Sequence, residues 1–598
     1  MEWKDLLAII DKKFNAERCL DRVRAIYSTD NWNDFDKYLE TAEYCADSMK
    51  KAGLVQIEKL PLKADGKAVY HDWALPRAWR AKKGILRYAD GEIIADYHKK
   101  TCCLCMYSPA TPGEVEAEVV DISGMKELPK DGSLKGKLLL TDLQPGAALP
   151  LAREVGAIGV LSDSMRLFPG VRDSREELYD DCLWESIGQA YPDNTIFGFK
   201  LTPRQGDRLR RELAQGPIRL VADVQAELYD GVCNTVSGLL EGTDPSLPEV
   251  FAYGHLYEPG ANDNASGSGA LLELAECFCE AIEEGLLPRP KRSIRFAMGN
   301  ECGGSMGYMA EHQGANMLCG GVFDMVGTER IDRATLAVRY DPLANWSFAD
   351  AAIIAADRTY KAYHNANHFF EYSHFRDGIA TDNIIADPAF GTPAVAMVAA
   401  PATSYHSSMD TPDRIEPDIL KRNAVIMGAY LFGLADADEN TCEFLEKEIR
   451  TLGQREQESV AHPRLKRHVQ EATQRALYSL NRLSGTCAYD APQEETPPMP
   501  ENVCQKGSRI PERLIPGCLT LAGRRDVKDP KFRPAWDAEL NLPLFWTDGK
   551  RNLWQIAVQT SYEMLKPADT EIMDKFAELS DYYDFLEELG YIRWKTIS

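Results

Sequence analysis

"EVFAYGHLYEPGANDNASGSGALLELAECFCEAIEEG", residues 249–285, is the stretch on which the fold turns. It opens with a short apolar run that ends at His255, the pattern of a buried strand. It closes with Leu271, Leu274, Ala275, Phe278 and Ile282 on one face of a helix. Between the two lies a loop with Gly260, Asn262, Asp263 and Asn264. That loop is too polar for a core and too specific in its glycines for a plain connection. Strand, loop and helix in this order are the unit of an α/β layered sheet, whose ligands gather at the carboxyl ends of the strands.

The unit recurs further along the chain. "RSIRFAMG" leads to Asn300 and Glu301, "GGVFDMVG" carries Asp324, and "TPAVAMV" is followed by His406 in "SYHSSMDTPDRIEP". His255, Asp263, Glu301, Asp324 and His406 thus all fall at or just beyond a predicted strand, and parallel strands bring such ends to one rim. Two imidazoles and three carboxylates suit zinc, with cobalt or manganese as alternatives. Five donors are too many for one open tetrahedral site. They are the right number for two ions if one carboxylate bridges, an arrangement that polarises a carbonyl and activates a water. Gly260 and Gly267 then allow tight turns, while Asn262, Asn264 and Ser266 cap the helix or fix the loop.

The bulk numbers frame this reading. The chain has 598 residues, enough for about three or four domains. Its hydrophobic fraction of 44% supplies a sizeable core. A net charge of −24 disfavours nucleic acid and anionic membrane surfaces as partners. "MEWKDLLAIIDKKF" at the N-terminus has no apolar core of signal-peptide length, no stretch approaches a membrane span, and the 15 cysteines follow no disulfide framework, so a cytoplasmic location is expected. Cys102, Cys103 and Cys105 lack the spacing of a zinc knuckle and read as small apolar residues of a strand.

Three regions are expected. Residues 1–111 and 226–437 form an α/β three-layer sandwich on a mixed, mostly parallel sheet. Residues 112–225 form a small β-rich insert, from the strand-like runs "GEVEAEVVDI", "GKLLLTDL" and "AIGVLSDS". Residues 438–598 begin with a long charged helical stretch, pass through the linker-like "APQEETPPMPENV", and end in a small helical domain with a short closing strand.

"GHLYEPGANDNASGSG", "GNECGGSMGY", "FDMVG" and "YHSSMDTPDRIEP" resemble, in order, the motifs of the co-catalytic zinc aminopeptidases, a family that includes bacterial leucyl aminopeptidase and aminopeptidase Y, with glutamate carboxypeptidase II as a relative. The resemblance implies that His255 and Asp324 bind one zinc, that Glu301 and His406 bind the other, and that Asp263 bridges. The insert is similar to a protease-associated domain, which implies a lid or substrate-selecting wall. The tail resembles a winged-helix module; on this acidic chain it implies packing or homo-oligomer contacts rather than DNA binding.

The chain departs from the family at two chemical positions. Asn300-Glu301 stands where Glu-Glu is usual, and an asparagine cannot take up a proton near neutral pH, so the general base is displaced to Glu301 itself or to Glu258. His255-Leu256-Tyr257 stands where His-x-Asp is usual, which removes a partner that tunes the ligand. Asp410 is expected to orient His406, Asp382 to do similar supporting work, and Tyr405 to donate to a developing oxyanion. The expectation is a metal-dependent aminopeptidase acting on peptides. The alternative is a catalytically impaired relative that binds peptides or amino acids.

Overall fold

The computed structural model describes residues 1–595 except 126, 189–192, 366–370, 375–380, 485–487 and 528. The predicted strands form the parallel centre of an eight-stranded sheet. Ile294–Asn300, Glu249–Leu256, Met317–Asp324 and Ala394–Val398 lie side by side in that order. Gly231–Leu240 and then Val55–Ala64 extend one edge antiparallel. Ala337–Tyr340 extends the other edge antiparallel, with Glu371–His374 parallel beyond it. The sheet is therefore mixed, with its parallel strands at the centre.

The chain leaves Glu249–Leu256 for a neighbour on one side, then crosses to Met317–Asp324 on the other. That reversal opens a crevice at the carboxyl ends of the strands. Register makes the three ends level: His255 pairs with Gly299, Leu256 with Asn300, and Gly254 with Phe323.

The apolar runs are continuous because both faces of the sheet are covered. Val250 and Ala252 belong to one core, with Leu271, Leu274 and Phe278 of helix Ala265–Glu283. Phe251 and Tyr253 point into a second core with Tyr308, Ile384 and, from the tail, Trp546 and Leu579. Three layers result, and the C-terminal region supplies part of the third.

Helix Ala265–Glu283 begins where Asn264 accepts a hydrogen bond from the Gly267 N–H at 3.1 Å. One of its charged positions is also buried. Glu273 is fully enclosed and meets Arg18 and Arg22 of helix Ala16–Asp30, which keeps a charge inside tolerable.

A second, seven-stranded sheet runs Ile93–Asp96, Ala78–Tyr88, Arg219–Tyr229, Val115–Asp121, Leu138–Thr141, Gly159–Ser162, Phe197–Lys200. It starts at Ala78, upstream of the boundary at 112 read from the sequence. Ala78–Tyr88 pairs with Arg219–Tyr229 along its whole length. Its Lys82, Lys83 and Arg87 interrupt the apolar pattern, which hides the strand in the sequence. Cys102 and Cys103 are buried as expected, but in a short 3₁₀ turn, Thr101–Cys103, rather than in a strand.

The tail holds helices Ala538–Phe545, Leu553–Glu563 and Asp569–Glu588, with an antiparallel pair formed by Pro511–Arg513 and Ile592–Trp594. The proline-rich segment before it is anchored rather than free. Trp554 donates to the Pro497 carbonyl at 3.0 Å, and Glu494 receives Arg475 and Arg551. Asp72 fastens the tail to the first domain, accepting the N–H groups of Thr520, Leu521 and Gly523 at 2.7, 2.8 and 2.9 Å and the Tyr591 hydroxyl at 2.5 Å. Among the described residues no helix is long and apolar enough to cross a membrane.

Candidate metal centre

His255 ends its strand with its side chain 1% exposed. Its Nε2 lies 3.2 Å from Asp263 Oδ1. The other oxygen of the same carboxylate, Oδ2, lies 3.2 Å from His406 Nε2. Asp263 therefore stands between the two histidines and offers one oxygen to each. The donor atoms of His255, Glu301 and Asp324 fall within 4.8 Å of one another, and so do those of His255, Glu258 and Asp263. The five residues expected from the strand ends meet on one rim, and Glu258 joins them.

The loop explains how Asp263 is aimed. Asp410, fully enclosed, accepts the N–H groups of Asn262 at 2.8 Å and of Asp263 at 3.0 Å. It holds the backbone of Asp263 and does not orient His406 as the sequence suggested; its carboxylate is already committed to those amides. Asn262 accepts from the Gly327 N–H at 2.8 Å, and Ser266 donates to the Asn262 carbonyl at 2.6 Å. Gly260 is required for close approach rather than for a turn of unusual hand. A β-carbon there would lie 2.3 Å from Asp410 Oδ2 and 2.9 Å from Trp184. Gly267 is required for the same reason, since its β-carbon would meet Asn264 Oδ1 at 2.4 Å.

Asp382 stands behind His255. Its Oδ2 lies 3.3 Å from His255 Nδ1. Its Oδ1 is held by the Cys302 N–H at 2.8 Å and the Ser305 hydroxyl at 2.6 Å, at the start of helix Gly303–Glu311. Tyr257, two residues after His255, turns away. Its N–H donates to Asp30 and its hydroxyl to the Asn33 carbonyl, both at 2.9 Å. The Asn300 side-chain oxygen lies against Gly303, 2.9 Å from where a β-carbon would stand.

The electrostatics follow from burying carboxylates together. Burial, reinforced by Asp263 and Glu301, holds the Glu258 carboxyl well above its ordinary range. Burial also raises Glu301, against the pull of His255 and with Asp382 adding to the rise. Burial pushes Asp324 up to about 8, with His255 working against it. Asp263 is lowered despite burial, because both histidines bond to it. Burial opposes protonation of His255, yet Asp324, Asp263 and Asp382 hold its affinity for a proton well above normal. Glu258 Oε2 and Asp324 Oδ1 are buried without a hydrogen-bond partner. Enclosed oxygens with surplus negative charge fit a divalent cation, which supplies the charge that the protein withholds.

His406 sits in the loop after Ala394–Val398 with φ +53°, a left-handed conformation that costs a non-glycine residue about 1–3 kcal/mol. Its ring stacks on Trp184, with centroids 5.0 Å apart at 27°, and its Nε2 is 4.0 Å from Glu258 Oε2. Tyr405 packs on the other side, with centroids 3.9 Å apart. Burial and then Asp263, Glu258, Asp324 and Glu301 raise the Tyr405 hydroxyl, which keeps it protonated beside the acids. Trp184 carried no sequence signal. It lies in the insert, outside any periodic element.

Residues 243–431 match the model of peptidase family M28. None of the curated proteins compared with this chain matches it. Among solved structures, the chain is similar to an aminopeptidase from Aneurinibacillus sp. strain AM-1, with 19% identity, 72% of this chain and 97% of that one covered, and a TM-score of 0.45. It is similar to a zinc aminopeptidase from Bacillus subtilis, with 16% identity, 72% and 99% coverage and a TM-score of 0.48. It is also similar to a peptidase M28 precursor from Shewanella amazonensis SB2B, with 15% identity, 72% and 98% coverage and a TM-score of 0.48.

Proposed function

On the peptidase family M28 domain of residues 243–431, we propose a metal-dependent aminopeptidase that removes residues from the amino terminus of peptides. The observation that carries this reading is the Asp263 carboxylate, 3.2 Å from His255 through one oxygen and 3.2 Å from His406 through the other. That is the disposition of a bridging ligand. His255 and Asp324 would hold one zinc ion, Glu301 and His406 the other, with Asp263 shared. When bound, such a pair supplies Lewis-acid polarisation of the scissile carbonyl and a water of lowered pKa.

The remaining work falls to this chain's own side chains. Glu258 is the general base: its side chain is 18% exposed and its Oε2 lies 4.0 Å from His406 Nε2, which puts a carboxylate at the open edge of the centre. Its carboxylate takes the proton of the attacking water and delivers it to the departing amine. Tyr405 donates its hydroxyl proton in a hydrogen bond to the oxyanion. Asp382, with Oδ2 3.3 Å from His255 Nδ1, places its negative charge behind the ring and favours a ligating Nε2. Asp410 keeps Asp263 aimed through two backbone amides.

Asn300 favours a second reading, a peptide- or amino-acid-binding protein on a peptidase scaffold. One experiment separates the two. The purified chain, loaded with zinc, is offered a library of unblocked peptides and the same library with acetylated amino termini. The aminopeptidase reading expects stepwise release of amino acids from the unblocked set alone. Binding without release would contradict it.

A further inference from the structure

We propose that the second domain is part of the metal centre: its segment Phe168–Trp184 positions His406. The inference rests on His406 being a metal ligand. His406 belongs to an irregular loop, so neither strand nor helix fixes it. From the first domain the loop is held by Asp332, whose carbonyl accepts the Thr403 N–H at 2.8 Å and whose carboxylate accepts the Ser404 hydroxyl at 2.8 Å. Both contacts precede His406.

The backbone bond at His406 comes from the second domain, while the imidazole Nε2 meets Asp263 of the first. The Trp184 N–H donates to the His406 carbonyl at 3.1 Å, while the Trp184 ring stacks on the imidazole. The Ser408 N–H donates to the Cys182 carbonyl at 2.9 Å, and the Ser408 hydroxyl donates to Asp181 at 2.6 Å. Arg172 is fully enclosed. It donates to the Thr403 carbonyl at 3.0 and 2.7 Å, to the Tyr405 carbonyl at 2.6 Å, and to its own segment at the Arg166 carbonyl at 2.9 Å. A buried guanidinium whose hydrogen bonds to oxygen all go to neutral carbonyls is costly, and its planar fork is what lets one side chain grip the loop at both Thr403 and Tyr405. Trp184 is braced from behind, because its neighbour Glu185 pairs with the enclosed Lys200 at 2.9 Å. The left-handed backbone of His406 is thus imposed by groups of another domain.

Full-length chains with Arg172→Met, Arg172→Lys, Trp184→Leu and, as a control on the exposed surface of the insert, Lys130→Ala test this. Each is followed without metal by hydrogen exchange and by thermal melting, and then by calorimetric titration with zinc. In Arg172→Met the amides of residues 402–409 are expected to exchange at least about tenfold faster. Those of 249–264 and 294–301 keep their wild-type rates. One equivalent of zinc binds as in wild type and the other at least about tenfold more weakly. Trp184→Leu shifts both readouts in the same direction, Arg172→Lys recovers part of the loss, and Lys130→Ala changes neither. If Arg172→Met does not fold, Trp184→Leu decides on the same readouts. Wild-type exchange at 402–409 and wild-type zinc affinity in the strap variants would overturn the proposal. A wild-type chain that takes up less than two equivalents would strike the peptidase reading instead, and the exchange rates would still decide this one.

Discussion

The two histidines of the rim are held in opposite ways. His255 grows from a central strand, is 1% exposed, and is backed by Asp382. His406 hangs on a loop, is 28% exposed, and is backed by a tryptophan of another domain. One side of the centre is made by the sheet; the other is assembled from two bodies. A ligand at a strand end inherits the rigidity of the ladder, whereas a ligand on a loop needs external support to lose its freedom. Asp263 is where the two sides meet.

Substitutions rank by how much of that contrast they touch. Asp263→Asn serves neither side, since an amide cannot present two anionic oxygens; zinc uptake at both positions and all turnover are expected to be lost, read by metal analysis and peptide hydrolysis. Retained turnover would break the comparison at its hinge. Glu258→Gln leaves both sides built and removes the proton carrier. It should lower kcat by about 10²–10⁴-fold while zinc uptake stays at the wild-type level. If Glu301 is the base, Glu258→Gln will instead be nearly silent.

Asp382→Asn affects the His255 side only. One of the two zinc affinities should fall by about 10–100-fold and the other stay unchanged, which calorimetry resolves. The smallest effect concerns stability. Burial raises the Asp30 carboxyl, which accepts from Thr41 and the Tyr257 N–H, to about 7 from an ordinary 3.8. The folded chain binds that proton more tightly than the unfolded chain does. Its contribution is full below about pH 4 and is lost as pH rises through 7. The melting temperature of Asp30→Asn relative to wild type should therefore climb between pH 4 and 7 and level off above it. A difference independent of pH would refute the assignment.

The sheet side was legible in the sequence, and the loop side only in part. His255, Glu301 and Asp324 follow apolar runs, and a strand announces its own end. Asp263 was legible because its loop is polar, glycine-bearing and followed by a helix. His406 was found by its place beyond the strand "TPAVAMV", but the reason it stays in place was not. Arg172 and Trp184 act through carbonyl contacts and stacking between segments far apart in the chain, and such contacts leave no period behind. The role of Asp410 was misassigned for a related reason: four residues after a histidine, a carboxylate invites pairing with the ring, yet it serves the backbone of Asn262 and Asp263. The extent of the second sheet was hidden by the lysines and arginine of Ala78–Tyr88.

The most direct test is a crystal grown with zinc and measured at the zinc absorption edge. Two anomalous peaks about 3.5–4 Å apart, one on each side of the Asp263 carboxylate, are predicted. An absence of any peak at that carboxylate, with zinc found elsewhere or nowhere, would contradict the account.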